Sequence, residues 1–142
     1  MLFCVCVSAC AAERAQLTLV YTGDIHGQVT PCDCKTSPDG GAARRAYAVA
    51  RLREQYGDVL LVDSGSSAGG GVKDTETGGV EHDLASSLLQ WRTMTNLGYD
   101  AVGVGDEELL LGVDVLTAAA EDMALPFVCS NLSGAQEFCR PY

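Results

Sequence analysis

The sequence predicts an α/β domain organised as βαβαβαβ around a parallel sheet. Three observations carry that prediction: short β-rich runs alternate with longer runs of helical period, each β-run ends at small or acidic residues, and the connections are long enough for crossover helices. Residues 16–21 (QLTLVY) form the first strand and stop at Thr22-Gly23-Asp24. A loop over residues 25–41 follows, carrying Gly, Pro, Asp and a Cys-x-Cys pair. Residues 42–56 (AARRAYAVARLREQY) place Ala46, Val49, Ala50 and Leu52 on or near one helical face, with arginines on the other, and Gly57 ends the helix.

Residues 58–63 (DVLLVD) are a continuous apolar run of the kind that fills a buried parallel strand, and they end at Ser64-Gly65-Ser66-Ser67. A Gly-rich loop continues through Gly79. Residues 83–97 predict a helix with Leu84, Leu88, Trp91 and Met94 inward, Asp83 as N-cap and Gly98 as its stop. Residues 100–104 make a third strand ending at Gly105-Asp106-Glu107-Glu108, residues 112–123 a helix, and residues 126–131 (PFVCSN) a fourth strand. Right-handed crossovers join such strands, and ligands collect at their carboxyl ends. Those ends carry Asp24 with His26, Asp63 to Ser66, Asp106 to Glu108, and Asn131, so four consecutive strand ends present polar or acidic groups.

At 142 residues and 47% hydrophobic content the chain supports one domain with a real core. Its net charge of −10 argues against nucleic acid and anionic membrane surfaces as partners. A phosphate-bearing substrate needs a local cation against that field. Met1 to Ala12 is an apolar run too short for a membrane-spanning helix, which takes about 20 residues, and it reads as the hydrophobic part of an export signal. Val7-Ser8-Ala9-Cys10 resembles a lipobox, making Cys10 the candidate lipidation site; residues 1–15 are then a leader and residues 16–142 the domain. Without the leader's Cys4 and Cys6, the remaining Cys10, Cys32, Cys34, Cys129 and Cys139 fit one lipidated thiol plus two pairs.

Asp24-x-His26 sets a carboxylate and an imidazole two residues apart in extended backbone, able to point the same way toward a metal. The blocks LTLVYTGDIHGQ, GGAARRAYAVARLREQYGDVLLVDSG, MTNLGYDAVGVGDEEL and LPFVCSNL, in this order, resemble N-terminal blocks of calcineurin-like metallophosphoesterases of the 5′-nucleotidase and UDP-sugar hydrolase branch. The resemblance covers Leu17 to Leu132. It implies a four-layer αββα sandwich of which this chain is one half, two divalent ions gripping a phosphate, and Asp24 and His26 as ligands to one of them. Which of Mn, Zn, Mg or Ca is bound is not distinguished. It also implies a nucleotide or other small phosphoester as substrate, with the second set of histidine ligands in a C-terminal half beyond this sequence and a partner for the open sheet face.

Two positions depart from the family pattern. Where the family has Asp-Ala-Gly-Asp, whose last carboxylate bridges both ions, this chain has Asp63-Ser64-Gly65-Ser66, so the bridging position is Ser66. A neutral hydroxyl screens two cations about 3.5–4 Å apart far less than a shared carboxylate does. Where the family has Gly-Asn-His-Glu, this chain has Gly105-Asp106-Glu107-Glu108. Asp106 keeps an oxygen ligand, whereas Glu107 stands at the family's catalytic histidine and would repel phosphate when ionised.

The PCDC loop, with Cys32 and Cys34 followed by Gly40-Gly41 and Arg44-Arg45, resembles an exported bacterial subgroup with Cys-Gly-Cys and Gly-Gly-x-x-Arg-Arg. Cys32 and Cys34 are candidates for a disulfide or for metal binding. His82, between Glu81 and Asp83 at a helix start, reads as a solvated or capping residue, and Arg44, Arg45, Arg51 and Arg53 as a solvated face from which Arg44 or Arg45 can meet an anion. The expected function is a metal-dependent phosphoester hydrolase, impaired in this chain, exported and membrane-bound only through a lipid anchor as a periplasmic or cell-envelope lipoprotein. The alternative is a non-catalytic exported binding or scaffold module that keeps the fold.

Overall fold

The computed structural model describes residues 16–32, 35–36, 39–70 and 78–140. The leader, Cys10 and Cys34 lie outside the described residues. The elements run β1 (Thr18–Thr22), α1 (Ala42–Tyr56), β2 (Val59–Asp63), α2 (Val80–Leu97), β3 (Ala101–Gly103), α3 (Asp106–Leu110), α4 (Val113–Asp122) and β4 (Phe127–Val128), with a 3₁₀ turn at Ala135–Glu137. The sheet is parallel throughout and ordered β1-β2-β3-β4, as the alternating pattern predicts.

That sequential order decides where the core lies. Right-handed crossovers that always step in one direction put every helix on the same face of the sheet. The covered face buries Leu61, Val102 and Phe127 against Val49 of α1, Trp91 and Met94 of α2, and Leu116 and Ala119 of α4. Phe127 meets Trp91 edge-on at 5.4 Å and Phe138 at 6.5 Å. Among the described residues the opposite face is uncovered. Register pairs Leu19 with Leu60 and Tyr21 with Val62, and Leu19 is 55% and Tyr21 76% exposed. Parallel sheets are ordinarily covered on both faces.

The Cys129–Cys139 disulfide ties the end of β4 to the 3₁₀ turn, and Arg140 N–H donates to Phe127 O across the same closure. Among the described residues no helix is long and apolar enough to cross a membrane.

Several local expectations are corrected. Helix α2 begins at Val80, a turn before Asp83, with Gly79 at its N-cap. Asp83 therefore sits inside the first turn, where its carboxylate accepts from Gly78 N–H and its carbonyl from Ser86 and Ser87 hydroxyls. In α1, Ala50 faces solvent and Arg45 is half-buried near Tyr99 and Asp63, the reverse of the expected faces. The residues after Gly105 turn at once into α3. Gly98, at φ 68°, closes α2 in the left-handed conformation that its lack of a side chain allows. Asp100 then fixes the entry to β3, accepting Leu61 N–H on its carboxylate and donating its own N–H to Leu61 O.

Candidate functional site

The loops after β1, β2 and β3 are laced together at the carboxyl edge of the sheet. Ser64 N–H donates to Thr22 O (2.9 Å), Asp24 N–H to Gly65 O (3.1 Å), His26 N–H to Ser66 O (2.9 Å) and Gly27 N–H to Ser67 O (3.0 Å). This lacing holds Asp24, His26 and Ser66 at φ 51°, 51° and 56°. A left-handed backbone costs a non-glycine residue about 1–3 kcal/mol and persists only where its surroundings over-determine it. The loop after β3 lies equally close. A Cβ on Gly103 would stand 2.7 Å from Ser64 C, and one on Gly105 2.8 Å from Ser66 N, so neither position admits a side chain.

Two carboxylates beneath the loops are spent on backbone. Asp63 accepts from Gly65 N–H and from the Thr22 hydroxyl, which in turn accepts from Tyr99 OH at 2.9 Å. Burial raises the Asp63 pKa, opposed by the Thr22 and Gly65 hydrogen bonds and by Arg45, with Glu108 adding to the rise. Burial likewise raises that of Tyr99. Glu108 is fully buried and takes five donors: Ser67 N–H (2.6 Å), Ser67 hydroxyl (2.8 Å) and Ala68 N–H (2.9 Å) on Oε1, Ser66 N–H (3.1 Å) and Gly105 N–H (2.8 Å) on Oε2. Sequence reasoning assigned Glu108 no role. Its signal was available, since a Glu three positions after a helix N-cap reaches back to the N-cap N–H, here that of Gly105.

Asp24 and His26 border one open cavity of about 1000 Å³, whose far wall includes His82 and Asp83. The sequence has only two histidines, and both face this space. His82 is exposed, with Nδ1 3.6 Å from Asp83 Oδ1. Cys32 lies on the cavity's rim. Asp106 is exposed at the start of α3, Ser66 is half-buried beside Gly105, and Asn131 is exposed. Among the described residues no three His, Cys, Asp or Glu side chains gather closely enough to share an ion, so Asp24, His26 and Asp106 do not form a three-ligand cluster. Glu107 turns away from the cavity onto His26, with Oε1 2.8 Å from His26 Nδ1.

A second cavity, about 450 Å³, shares Asp24 and is lined by Gln28, Gly41, Arg44 and Arg45 at the start of α1. Arg45 Nε and Nη2 are buried without a partner among the described residues. Burial lowers the Arg45 pKa, against the opposing pull of Tyr99 and Asp63.

No protein-family model matches the chain. It is 30% identical to a snake venom 5′-nucleotidase of Gloydius brevicauda across 92% of this chain. It is 31% identical to the trifunctional nucleotide phosphoesterase YfkN of Bacillus subtilis across 86%, and 30% identical to a 5′-nucleotidase of Vibrio vulnificus across 89%. It spans 22%, 9% and 23% of those proteins' own lengths, respectively. Its fold matches the crystal structure of calcineurin-like phosphoesterase YfkN from Bacillus subtilis with a TM-score of 0.58 and 30% identity, covering 79% of this chain and 36% of that one. Order of elements, sheet direction and sequence similarity agree: the chain corresponds to the N-terminal part of a 5′-nucleotidase-type metallophosphoesterase domain.

Proposed function

We propose that this chain contributes one half of an exported, divalent-metal-dependent phosphoester hydrolase acting on nucleotides. The observation that carries the reading is the strained, laced backbone that presents Asp24 and His26 to one cavity. Strain at three strand-end residues is sustained by four inter-loop hydrogen bonds. The similar proteins are named as nucleotidases or nucleotide phosphoesterases, which supports the substrate class.

The donor set fits one divalent ion held by Asp24 and His26. It does not fit a bridged pair, because Ser66 offers a hydroxyl where a shared carboxylate would be needed, and Asp63 and Glu108 are engaged with backbone N–H groups. Such an ion supplies Lewis-acid polarisation of a phosphoryl oxygen. The chain's own residues hold and orient it, and Arg44 and Arg45 place positive charge beside Asp24 where a phosphate would otherwise meet an acidic protein. The bare face of the sheet takes a second sheet, from further chain or from a partner. The Cys129–Cys139 disulfide supports export to an oxidising compartment, and lipidation at Cys10 would anchor the protein there.

The test is metal stoichiometry followed by turnover. After dialysis with Mn²⁺ or Zn²⁺, elemental analysis should find at most about one equivalent, and Asp24→Ala should abolish it. Two equivalents, or binding indifferent to Asp24→Ala, overturns the assignment. Ser66 and the inward Glu107 favour a second reading, a non-catalytic binding module. With the second half supplied as further chain or as a partner, metal-dependent hydrolysis of a nucleoside monophosphate no faster than that of Asp24→Ala in the same assembly would establish it in place of the first.

A further inference from the structure

Glu107 faces inward from α3, and its side chain is only 4% exposed against 40% for His26. Its Oε1 lies 2.8 Å from His26 Nδ1, while Oε2 is buried with no partner among the described residues. Its neighbour Glu108 clamps the same short helix to the loop after β2 through four donors and to its own N-cap through a fifth, so the position of Glu107 is fixed before any ligand arrives. The backbone of His26 is fixed too, by its left-handed φ and the bond to Ser66 O.

We infer that Glu107 is a positioning residue for His26: it holds the imidazole as the Nδ1–H tautomer and leaves the Nε2 lone pair available to the cavity. The Nδ1 atom lies 2.8 Å from a carboxylate oxygen, which is an acceptor, so the hydrogen bond between the two groups is donated by Nδ1. A neutral imidazole has one protonated nitrogen, and Nε2 is then the basic atom. A carboxylate behind a histidine fixes its tautomer and ring orientation and raises its basicity as a ligand. The residue at the expected catalytic histidine position therefore acts through His26 rather than on phosphate, which removes the repulsion an outward glutamate would cause.

The inference rests on the proposed metal site for its purpose, and its decisive test needs no metal. The two-histidine chain carrying His82→Ala leaves His26 as the single imidazole, and long-range ¹H–¹⁵N spectra at about pH 8.5, two units above the ordinary histidine value, report its tautomer. The expected spectrum shows Nδ1 protonated and Nε2 bare. Glu107→Gln, whose amide oxygen can still accept, keeps that pattern, and Glu107→Ala loses it. Mn²⁺ or Zn²⁺ affinity, measured by calorimetry, falls roughly 10–100-fold in Glu107→Ala and recovers most of that loss in Glu107→Gln. Protonation of His26 at Nε2 in the Glu107-containing protein overturns the inference, even if Glu107→Ala fails to fold. An unchanged tautomer in a folded Glu107→Ala protein does the same. If the tautomer is as stated and no ion binds any form, the positioning of His26 stands and the metal reading falls.

Discussion

Replacing Glu108 by Gln tests whether one buried carboxylate holds the loops after β2 and β3 together. The side chains are nearly isosteric, so no cavity opens. With the amide oxygen in the place of Oε1, the Ser67 and Ala68 donors keep their acceptor. The new NH₂ then faces Ser66 N–H and Gly105 N–H, which approach Oε2 at 3.1 and 2.8 Å. Each stranded buried donor costs about 1–3 kcal/mol, and because these two are only part-buried the lower half of that range applies, giving about 2–4 kcal/mol for the two. With a urea dependence of about 2 kcal/mol per molar, the unfolding midpoint drops by roughly 1 M or more. The only tryptophan is a built-in reporter, because Trp91 Nε1–H donates to the same Ser67 hydroxyl that donates to Glu108. Urea titration followed by Trp91 fluorescence is therefore the assay. Glu107→Gln, one residue away with a single side-chain hydrogen bond among the described residues, is the control and should shift stability by less than about 1 kcal/mol. A Glu108→Gln loss below about 0.5 kcal/mol would refute the clamp.

Three further outcomes are expected. Reducing Cys129–Cys139, or replacing both by Ser, reopens a loop with a sequence separation of 10 and should cost about 3 kcal/mol, read as a lowered urea midpoint; no change on adding a reductant to the folded protein would contradict the closure. Asp63 binds its proton more tightly folded than unfolded, so its contribution is fullest below the ordinary carboxylate value of 3.8 and is lost as pH rises through its folded value. Asp63→Asn should therefore gain stability relative to the parent from pH 4 toward pH 7, and a difference that is flat or falls with pH would reverse the sign. Leu19→Lys with Tyr21→Lys, on the uncovered sheet face, should change monomer stability by no more than about 0.5 kcal/mol per site while reducing binding of a hydrophobic dye; a loss above about 2 kcal/mol would mean that the face is already packed.

The sequence made the sheet legible because each strand is a local pattern. QLTLVY, DVLLVD and DAVGV are apolar runs punctuated by small residues, and strands separated by helices must pair in parallel. The pairing of strand ends into one edge followed, and with it the placing of Asp24, His26, Ser66 and Glu107 around a common region. Faces of helices were less legible. Ala50 and Arg45 exchanged their expected roles because Arg45 lies near Asp63 and Tyr99, partners remote from α1 in sequence that helical period alone does not reveal.

What the sequence determined by itself was the element order and the parallel direction, whereas the sequential strand order, which puts every right-handed crossover on one face, came from the structure. What only the tertiary structure decided was the fate of Asp106, Glu107 and Glu108. Three consecutive acids are chemically near-equivalent in the chain. One helical turn separates them by about 100° per residue, so one faces solvent, one His26 and one the Ser66 to Ala68 amides. Their partners lie about 40 and 80 residues away in sequence, and no local pattern encodes which of three carboxylates meets which donor.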